Sequence, residues 1–226
     1  MKNKNYGILN LGFIDNIIED KRLEMFNIIK NKINNNPIKS FLDIGTTEEK
    51  KLKSSNFFVK KFEHVQIKKS ITDQNIIKNG FSNILKKSIT SNFSISQIDE
   101  FKSDLVISSA TIEHVGNYQS QLKMIKNIIA LSNKFFFITT PNRNFPFDFH
   151  TKIPFIHMLP KNLHRKILNL LFLKEYAKEE NLNLLDIKDI NKMIEHIDYK
   201  GFDIEIFNIK LLGIASNLII MGKKID

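Results

Sequence analysis

The sequence of 226 residues contains no cysteine and no tryptophan, and all its apolar runs are too short to cross a bilayer. The absence of cysteine excludes disulfide bonds, thiolate catalysis and cysteine-ligated metals. Residues 1–10 carry lysines but lack the apolar segment of a signal peptide. These absences predict a cytoplasmic protein. A hydrophobic content of 42% still allows one well-packed domain over residues 1–226.

Arginine is also scarce, with three residues, yet the net charge is +10. Such a charge is typical of proteins that bind nucleic acid or an anionic membrane surface. Here the lysines are scattered, and no aromatic residues alternate with them to form a stacking groove for bases. The abundance of Lys, Asn and Ile is what an AT-rich genome favours. The composition therefore disfavours a nucleic-acid partner.

Short apolar strands alternate with amphipathic helices through most of the chain. Residues 11–33 predict a helix, because Ile14, Ile18 and Met25 recur on one helical face. The predicted strands that follow are 38–44, 64–72, 84–89, 104–109 and 134–140. The predicted helices between them are 56–61, 75–80 and 117–131, and residues 90–103 are predicted to be a loop. This alternation indicates a parallel sheet with right-handed crossovers.

Residues 143–185 break the alternation, because they are rich in proline and aromatic residues. Within and after this segment the pattern predicts helices at 163–172 and 186–196. Two final strands are predicted at 202–209 and 217–221. The link between them is too short for a crossover, so this pair is predicted to be antiparallel.

The first predicted strand ends in Asp43-Ile44-Gly45, an acidic residue followed by a glycine turn. Its apolar residues do not alternate, which is typical of a central strand covered by helices on both faces. In open α/β sheets, ligands bind at the carboxyl ends of such strands. Gly45 would allow a tight turn and a close approach of the backbone to a ligand.

Three stretches together resemble one family. They are Leu42-Asp43-Ile44-Gly45, the run from Asp104 to Gly116 with its Glu-His-Val, and Phe136 to Asn142 with its Thr-Thr-Pro-Asn. This order resembles the class I S-adenosylmethionine-dependent methyltransferases of the E-H-V and T-T-P-N-R branch. The resemblance implies an α/β fold with a Rossmann-like seven-stranded sheet, helices on both faces and the last strand antiparallel.

The resemblance also implies a function. The protein would transfer a methyl group from S-adenosyl-L-methionine to an oxygen or nitrogen of a small molecule, such as a sugar or other metabolite. The chain has Thr46-Thr47 where the family usually has a second glycine. One alternative is therefore a degenerate fold that acts as a non-catalytic binding protein, and a second is an RNA methyltransferase.

The family's cofactor contacts can be carried over residue by residue. Asp43 would meet the ammonium of the methionine moiety, Asp73 the ribose hydroxyls, and Asn92 the adenine amine, while Ser108 and Ser109 would lie beneath the cofactor. The implied cofactor-binding residues are Asp43, Gly45, Thr46, Asp73, Asn92, Ser108, Ser109 and Glu113.

The candidate catalytic residues are His114, Asp148 and His150, because each follows a strand at the same edge and each could accept a proton from the acceptor. His150, His157 and His164 are spaced by seven, but the intervening prolines exclude one continuous helix, so no metal site is predicted.

The segment 143–196 is interpreted as an acceptor-side insertion. Within it, residues 145–166 could form a lid or contact a membrane surface, because aromatic residues precede basic ones. The expected partner is a small-molecule methyl acceptor, and the oligomeric state is left open.

Overall fold

The computed structural model describes residues 11–34, 36–48, 52–76, 80–199 and 201–225. Residues 1–10, for which the sequence predicted no signal peptide, lie outside these ranges. Residues 77–79 of the predicted helix 75–80 also lie outside them. Among the described residues, none of the helices combines the length and the apolar character that a membrane span requires.

A seven-stranded mixed sheet forms the centre of the molecule. Its strands are β1 (Ser40–Ile44), β2 (Ile67–Thr72), β3 (Asn83–Lys86), β4 (Ser103–Ser109), β5 (Ser132–Pro141), β6 (Phe202–Leu211) and β7 (Ile214–Lys224). The strand order is β3-β2-β1-β4-β5-β7-β6, and β1 to β5 pair in parallel. β7 is antiparallel to both β5 and β6. The predicted Rossmann-like sheet with an antiparallel last strand is confirmed.

Helices cover both faces of this sheet. They are α1 (Leu11–Lys32), α2 (Phe57–Lys61), α3 (Ile95–Phe101), α4 (Tyr118–Ala130), α5 (Lys161–Leu170), α6 (Lys174–Ala177) and α7 (Ile187–Glu195). Successive residues of β1 point to opposite faces. Phe41 packs in the cluster of α1 and α2, whereas Leu42 packs in the cluster of α4 and α7. Both residues are fully buried, so β1 is a central strand as its apolar sequence predicted.

The prediction of a loop over residues 90–103 is wrong, because this stretch contains α3. Ser94 caps the helix by accepting a hydrogen bond from the Gln97 amide, and the Gln97 side chain accepts one from the Ser94 amide. This capping box is visible in the sequence as Ser-x-x-Gln. The apolar pattern that usually identifies a helix is weak here, since Ile95 is 80% exposed and only Phe101 is buried.

Two isolated β-bridges join distant parts of the segment between β5 and α7. Asn142 bridges to Leu185 in parallel, and Phe147 bridges to Pro154. Phe155 and Phe172 of this segment are exposed by 63% and 86%. The expected membrane contact through 145–166 stays a prediction, as does the reading of 143–196 as an insertion.

Candidate functional site

The carboxyl ends of β1, β2 and β4 surround a cleft of about 620 Å³, called the main cleft below. Residues from the loops after all five parallel strands line it, including Gly45, Asp73, Ser88, Thr111 and His150. Parallel strands end at one edge of the sheet, which is why loops far apart in the chain meet here. The first strand, β1, therefore borders a cavity large enough for a small-molecule ligand.

Gly45 forms the floor of the main cleft in a conformation that favours glycine. Its φ angle is +90°, and its amide donates a hydrogen bond to the Ile71 carbonyl at 2.9 Å. A Cβ atom at this position would overlap the hydroxyl of Thr111 and lie 3.0 Å from its Cγ2. Any larger residue would therefore strain the backbone and also displace Thr111.

Thr46 points into the protein rather than into the main cleft. Its buried hydroxyl donates a hydrogen bond to the Asp43 carboxylate and lies 2.8 Å from the Ser70 hydroxyl. Its carbonyl accepts from the Thr72 hydroxyl at 2.9 Å. Thr46 thus fixes the turn after β1 against β2, while its neighbour Thr47 lines the main cleft.

Asp43 is buried at the end of β1 and lines a smaller cavity of about 160 Å³. Burial raises the pKa of its carboxyl to about 6, although the hydrogen bond from Thr46 and the charge of Arg22 act in the opposite direction. Arg22 of α1 lines the same cavity and donates to the Ser54 carbonyl. This cavity shares Gly45 with the main cleft, so the two can hold different ends of one ligand.

Asp73 follows β2 directly, and its exposed carboxyl group lines the main cleft. Asn92 is exposed and is not among the residues that line it. The loop before Asn92 is fixed by Asn127, whose amide donates to the Ile89 carbonyl at 2.6 Å. Ser108 is buried and its hydroxyl bonds within the sheet.

Glu113 lies in a 3-10 helix after β4 and is completely buried. One carboxylate oxygen, Oε2, accepts a hydrogen bond from the Thr140 hydroxyl at 3.1 Å. The other, Oε1, has no hydrogen-bond partner and lies 3.8 Å from Nε2 of His150. A buried carboxylate oxygen without a partner is costly, so it indicates a site built for a cationic group.

The buried Asp148 and the partly exposed His150 form a hydrogen-bonded pair, with Asp148 Oδ1 2.9 Å from His150 Nδ1. Burial acts to raise the pKa of Asp148, but the hydrogen bond and charge of His150 hold it well below its usual range. Burial acts to lower the pKa of His150, but Asp148 and then Glu113 raise it above its ordinary value. The pair therefore keeps the His150 ring in one orientation.

His114 completes this group, called the histidine cluster below (Glu113, His114, Asp148 and His150). Its ring centroid lies 4.9 Å from that of His150. Its Nδ1 lies 2.7 Å from the Asn181 carbonyl and therefore donates to it. All three predicted catalytic residues thus lie together, with Glu113 from the predicted cofactor set.

A third cavity of about 200 Å³, called the α1 pocket below, lies between α1, the ends of β4 and β5, and the β6–β7 hairpin. His150 lines both this pocket and the main cleft. Ser109 lines the α1 pocket and accepts from the Thr139 hydroxyl at 3.2 Å. Ala110 lines all three cavities with a φ angle of +52°, a strained conformation for a residue other than glycine.

Sequence reasoning missed several residues of the site. Arg22 lies in a helix predicted only as a scaffold, and nothing local in its sequence places it beside Asp43. Thr111 lies between Ser109 and Glu113, but only the folded structure shows that it packs against Gly45. Asn181 acts through its carbonyl group, which no sequence pattern reveals.

Comparison with known proteins identifies the fold. No family model matches the sequence, and neither does any curated protein. Among solved structures, the magnesium protoporphyrin IX methyltransferase ChlM of Synechocystis PCC 6803 with bound S-adenosylmethionine has a TM-score of 0.53 and 11% identity. The alignment covers 96% of this chain and 86% of that one.

The plantazolicin methyltransferase BpumL in complex with S-adenosylhomocysteine has a TM-score of 0.59 and 10% identity, over 92% of this chain and 85% of that one. A protein described as a zinc-dependent alcohol dehydrogenase, from Rhodobacter sphaeroides, matches at a TM-score of 0.58 and 11% identity. That match covers 97% of this chain and 100% of the other. At such identities a likeness shows the fold and not the activity. The chain has the Rossmann-like fold of class I methyltransferases.

Proposed function

We propose that the protein transfers a methyl group from S-adenosylmethionine to an oxygen or nitrogen of a small molecule. The observation that carries this proposal is the main cleft, whose floor is Gly45 packed against Thr111 at the carboxyl end of β1. The likeness to methyltransferases with bound S-adenosylmethionine or S-adenosylhomocysteine supports it. A volume of about 620 Å³ lies in the range of small-molecule and cofactor sites.

The residues around Gly45 fit the charges of this cofactor. The methionine end carries an ammonium and a carboxylate, and the small cavity offers the Asp43 carboxyl and the Arg22 guanidinium beside each other. The ribose carries two neighbouring hydroxyls, for which the two oxygens of the exposed Asp73 carboxylate are suitable acceptors. The adenine would lie in the main cleft beside Ser88 and Ile89.

The acceptor would enter through the α1 pocket, whose lining includes the apolar side chains of Ile17, Ile18, Met25 and Phe149. Ala110 and His150 border both this pocket and the main cleft, so they mark the point where donor and acceptor meet. The cofactor supplies an activated methyl group on a sulfonium. When bound, the cofactor would offer its methyl group to the lone pair of the acceptor, and the proton of the acceptor would pass to His150 or to water. Positioning of the two molecules is the main task of the protein.

His150 is proposed to contact the acceptor, and Asp148 to hold the His150 ring towards it. The second role is one of positioning, because Asp148 is 3% exposed and its oxygens are occupied by His150 and Thr151. The segment 143–196 supplies both residues and is proposed as the acceptor-side part of the domain.

Isothermal titration with S-adenosylmethionine and S-adenosylhomocysteine tests the proposal. We expect one molecule of either to bind per chain. A folded protein that binds neither contradicts the proposal. After the titration, a turnover assay would test activity. Mass spectrometry would detect S-adenosylhomocysteine formed from S-adenosylmethionine in the presence of panels of sugars, phenols and amines. Binding without turnover on any panel would favour the non-catalytic alternative, whereas methylation of RNA would favour the RNA-directed one.

A further inference from the structure

The histidine cluster brings three metal-ligating side chains together without a metal-binding sequence pattern. One ligand atom from each of Glu113, His114 and His150 lies within 4.8 Å of the other two. Glu113 and His114 are adjacent in the chain, and His150 comes from the segment after β5. The sequence spacing of His150, His157 and His164 predicted no metal site, and His157 Nε2 donates a hydrogen bond to the Phe145 carbonyl at 2.7 Å.

The unpartnered oxygen of Glu113 is the first indication of a cation-binding site. Glu113 is fully buried, and Oε1 accepts no hydrogen bond, whereas Oε2 is occupied by Thr140. Oε1 lies 3.8 Å from His150 Nε2. Ligand atoms about 2.1 Å from a tetrahedral zinc ion would be roughly 3.4 Å apart, so this pair needs little movement to share an ion.

The two histidine rings are oriented so that both present a free Nε2 atom. His150 Nδ1 donates to the Asp148 carboxylate at 2.9 Å, and His114 Nδ1 donates to the Asn181 carbonyl at 2.7 Å. In each neutral ring the lone pair then lies on Nε2. Metal-bound histidines usually donate their other ring nitrogen to a carboxylate or a backbone carbonyl in this way.

We propose that Glu113 Oε1, His114 Nε2 and His150 Nε2 bind a divalent first-row transition-metal ion, with Asp148 and the Asn181 carbonyl orienting the two histidines. Two imidazoles and one carboxylate are a donor set that suits zinc, iron(II), cobalt(II) and manganese(II). His114 and His150 both line the main cleft, so an ion held by them would be accessible from the cleft. The metal site goes beyond the proposed function and does not depend on it.

Cobalt(II) provides the test, because its visible absorption reports both binding and geometry. The tag-free, metal-stripped chain would be titrated with Co²⁺, followed by competition with Zn²⁺. We expect one equivalent to bind, with visible bands that Zn²⁺ removes. Glu113→Gln and His150→Gln should each weaken binding by about 100-fold or more, and Asp148→Asn by about 10- to 100-fold. Circular dichroism would establish that each variant is folded.

His64→Gln is the matched control, because His64 is an exposed histidine outside the cluster. It should bind Co²⁺ as the unchanged chain does. Absence of stoichiometric binding overturns the inference, and so does equal weakening by His64→Gln and His150→Gln. Titration of S-adenosylhomocysteine into the same metal-stripped protein separates the two proposals. S-adenosylhomocysteine binding without cobalt binding would overturn the metal site alone, and cobalt binding without S-adenosylhomocysteine binding would overturn the methyl-donor site alone.

Discussion

Two buried carboxylates lie at the same edge of the sheet in opposite surroundings. The Asp43 carboxyl group lies at the end of β1 and has partners within the chain. Thr46 donates a hydrogen bond to it, and the cationic Arg22 lines the same cavity. Glu113 follows β4 and keeps one oxygen without a hydrogen-bond partner, facing two histidines. The polar groups at the β1 end are thus hydrogen-bonded within the chain, as the proposed cofactor site requires, whereas the histidine cluster leaves one Glu113 oxygen available for the proposed metal ion.

Gly45→Ala should have the largest effect on the β1 end. The Cβ atom would overlap Thr111, and a φ of +90° is unfavourable for alanine, so we expect S-adenosylhomocysteine binding to fall by at least about 100-fold. Titration calorimetry would measure it. Gly201→Ala is the control, because Gly201 has a φ of +87° but no atom within 4 Å of its Cβ position. Equal affinity in both variants would refute the role of the Thr111 contact.

Asp148→Ala should have the largest effect on stability in the histidine cluster. Asp148 accepts four hydrogen bonds, from the amide and ring of His150 and from the amide and hydroxyl of Thr151. At about 1 kcal/mol each, their loss should lower the free energy of unfolding by about 3 kcal/mol, partly offset by water. Urea denaturation would measure it. A loss below about 1 kcal/mol would show that water replaces these bonds.

Asp43→Asn should change how stability depends on pH. The folded pKa of Asp43 is raised to about 6, above the unfolded value of 3.8, so the folded state holds its proton more tightly. Its contribution is therefore most favourable below about pH 4 and is lost as the pH rises towards 6. Compared with Asp43→Asn, the unchanged chain should lose on the order of 3 kcal/mol over this window. Parallel stability curves for the two proteins would contradict the buried setting of Asp43.

Asp73→Ala should have the smallest effect, limited to the ligand. The carboxyl group is exposed at the end of β2, so the free energy of unfolding should change by less than about 0.5 kcal/mol. Loss of the ribose contact should weaken S-adenosylhomocysteine binding by about tenfold. Unchanged affinity would show that another residue of the main cleft binds the ribose.

The parts of the fold that could be predicted are those determined by local patterns. The unbroken apolar run of β4 and the short link between β6 and β7 predicted a buried strand and an antiparallel pair, and both are present. Helix α3 was missed because its apolar face is weak, although its capping box was visible. Local sequence patterns therefore predicted the strands of the sheet better than the helices on its surface.

The site was predictable only in part, because contacts between distant segments determine its geometry. The Asn183 amide donates to the Glu113 carbonyl at 2.7 Å, and the Asn183 side chain donates to the Gly116 carbonyl at 2.9 Å. These bonds fix the 3-10 helix that carries Glu113 and His114. No periodicity in the sequence predicts that Asn183 contacts Glu113. The unpartnered Glu113 oxygen could therefore be found only in the structure.

A crystal structure of the chain with S-adenosylhomocysteine tests the central claim most directly. We expect the methionine end to lie over Gly45, between Asp43 and Arg22, and the ribose hydroxyls to contact Asp73. The sulfur should then point towards Ala110 and His150. Density for S-adenosylhomocysteine away from the main cleft, or no bound S-adenosylhomocysteine at a saturating concentration, would contradict this placement.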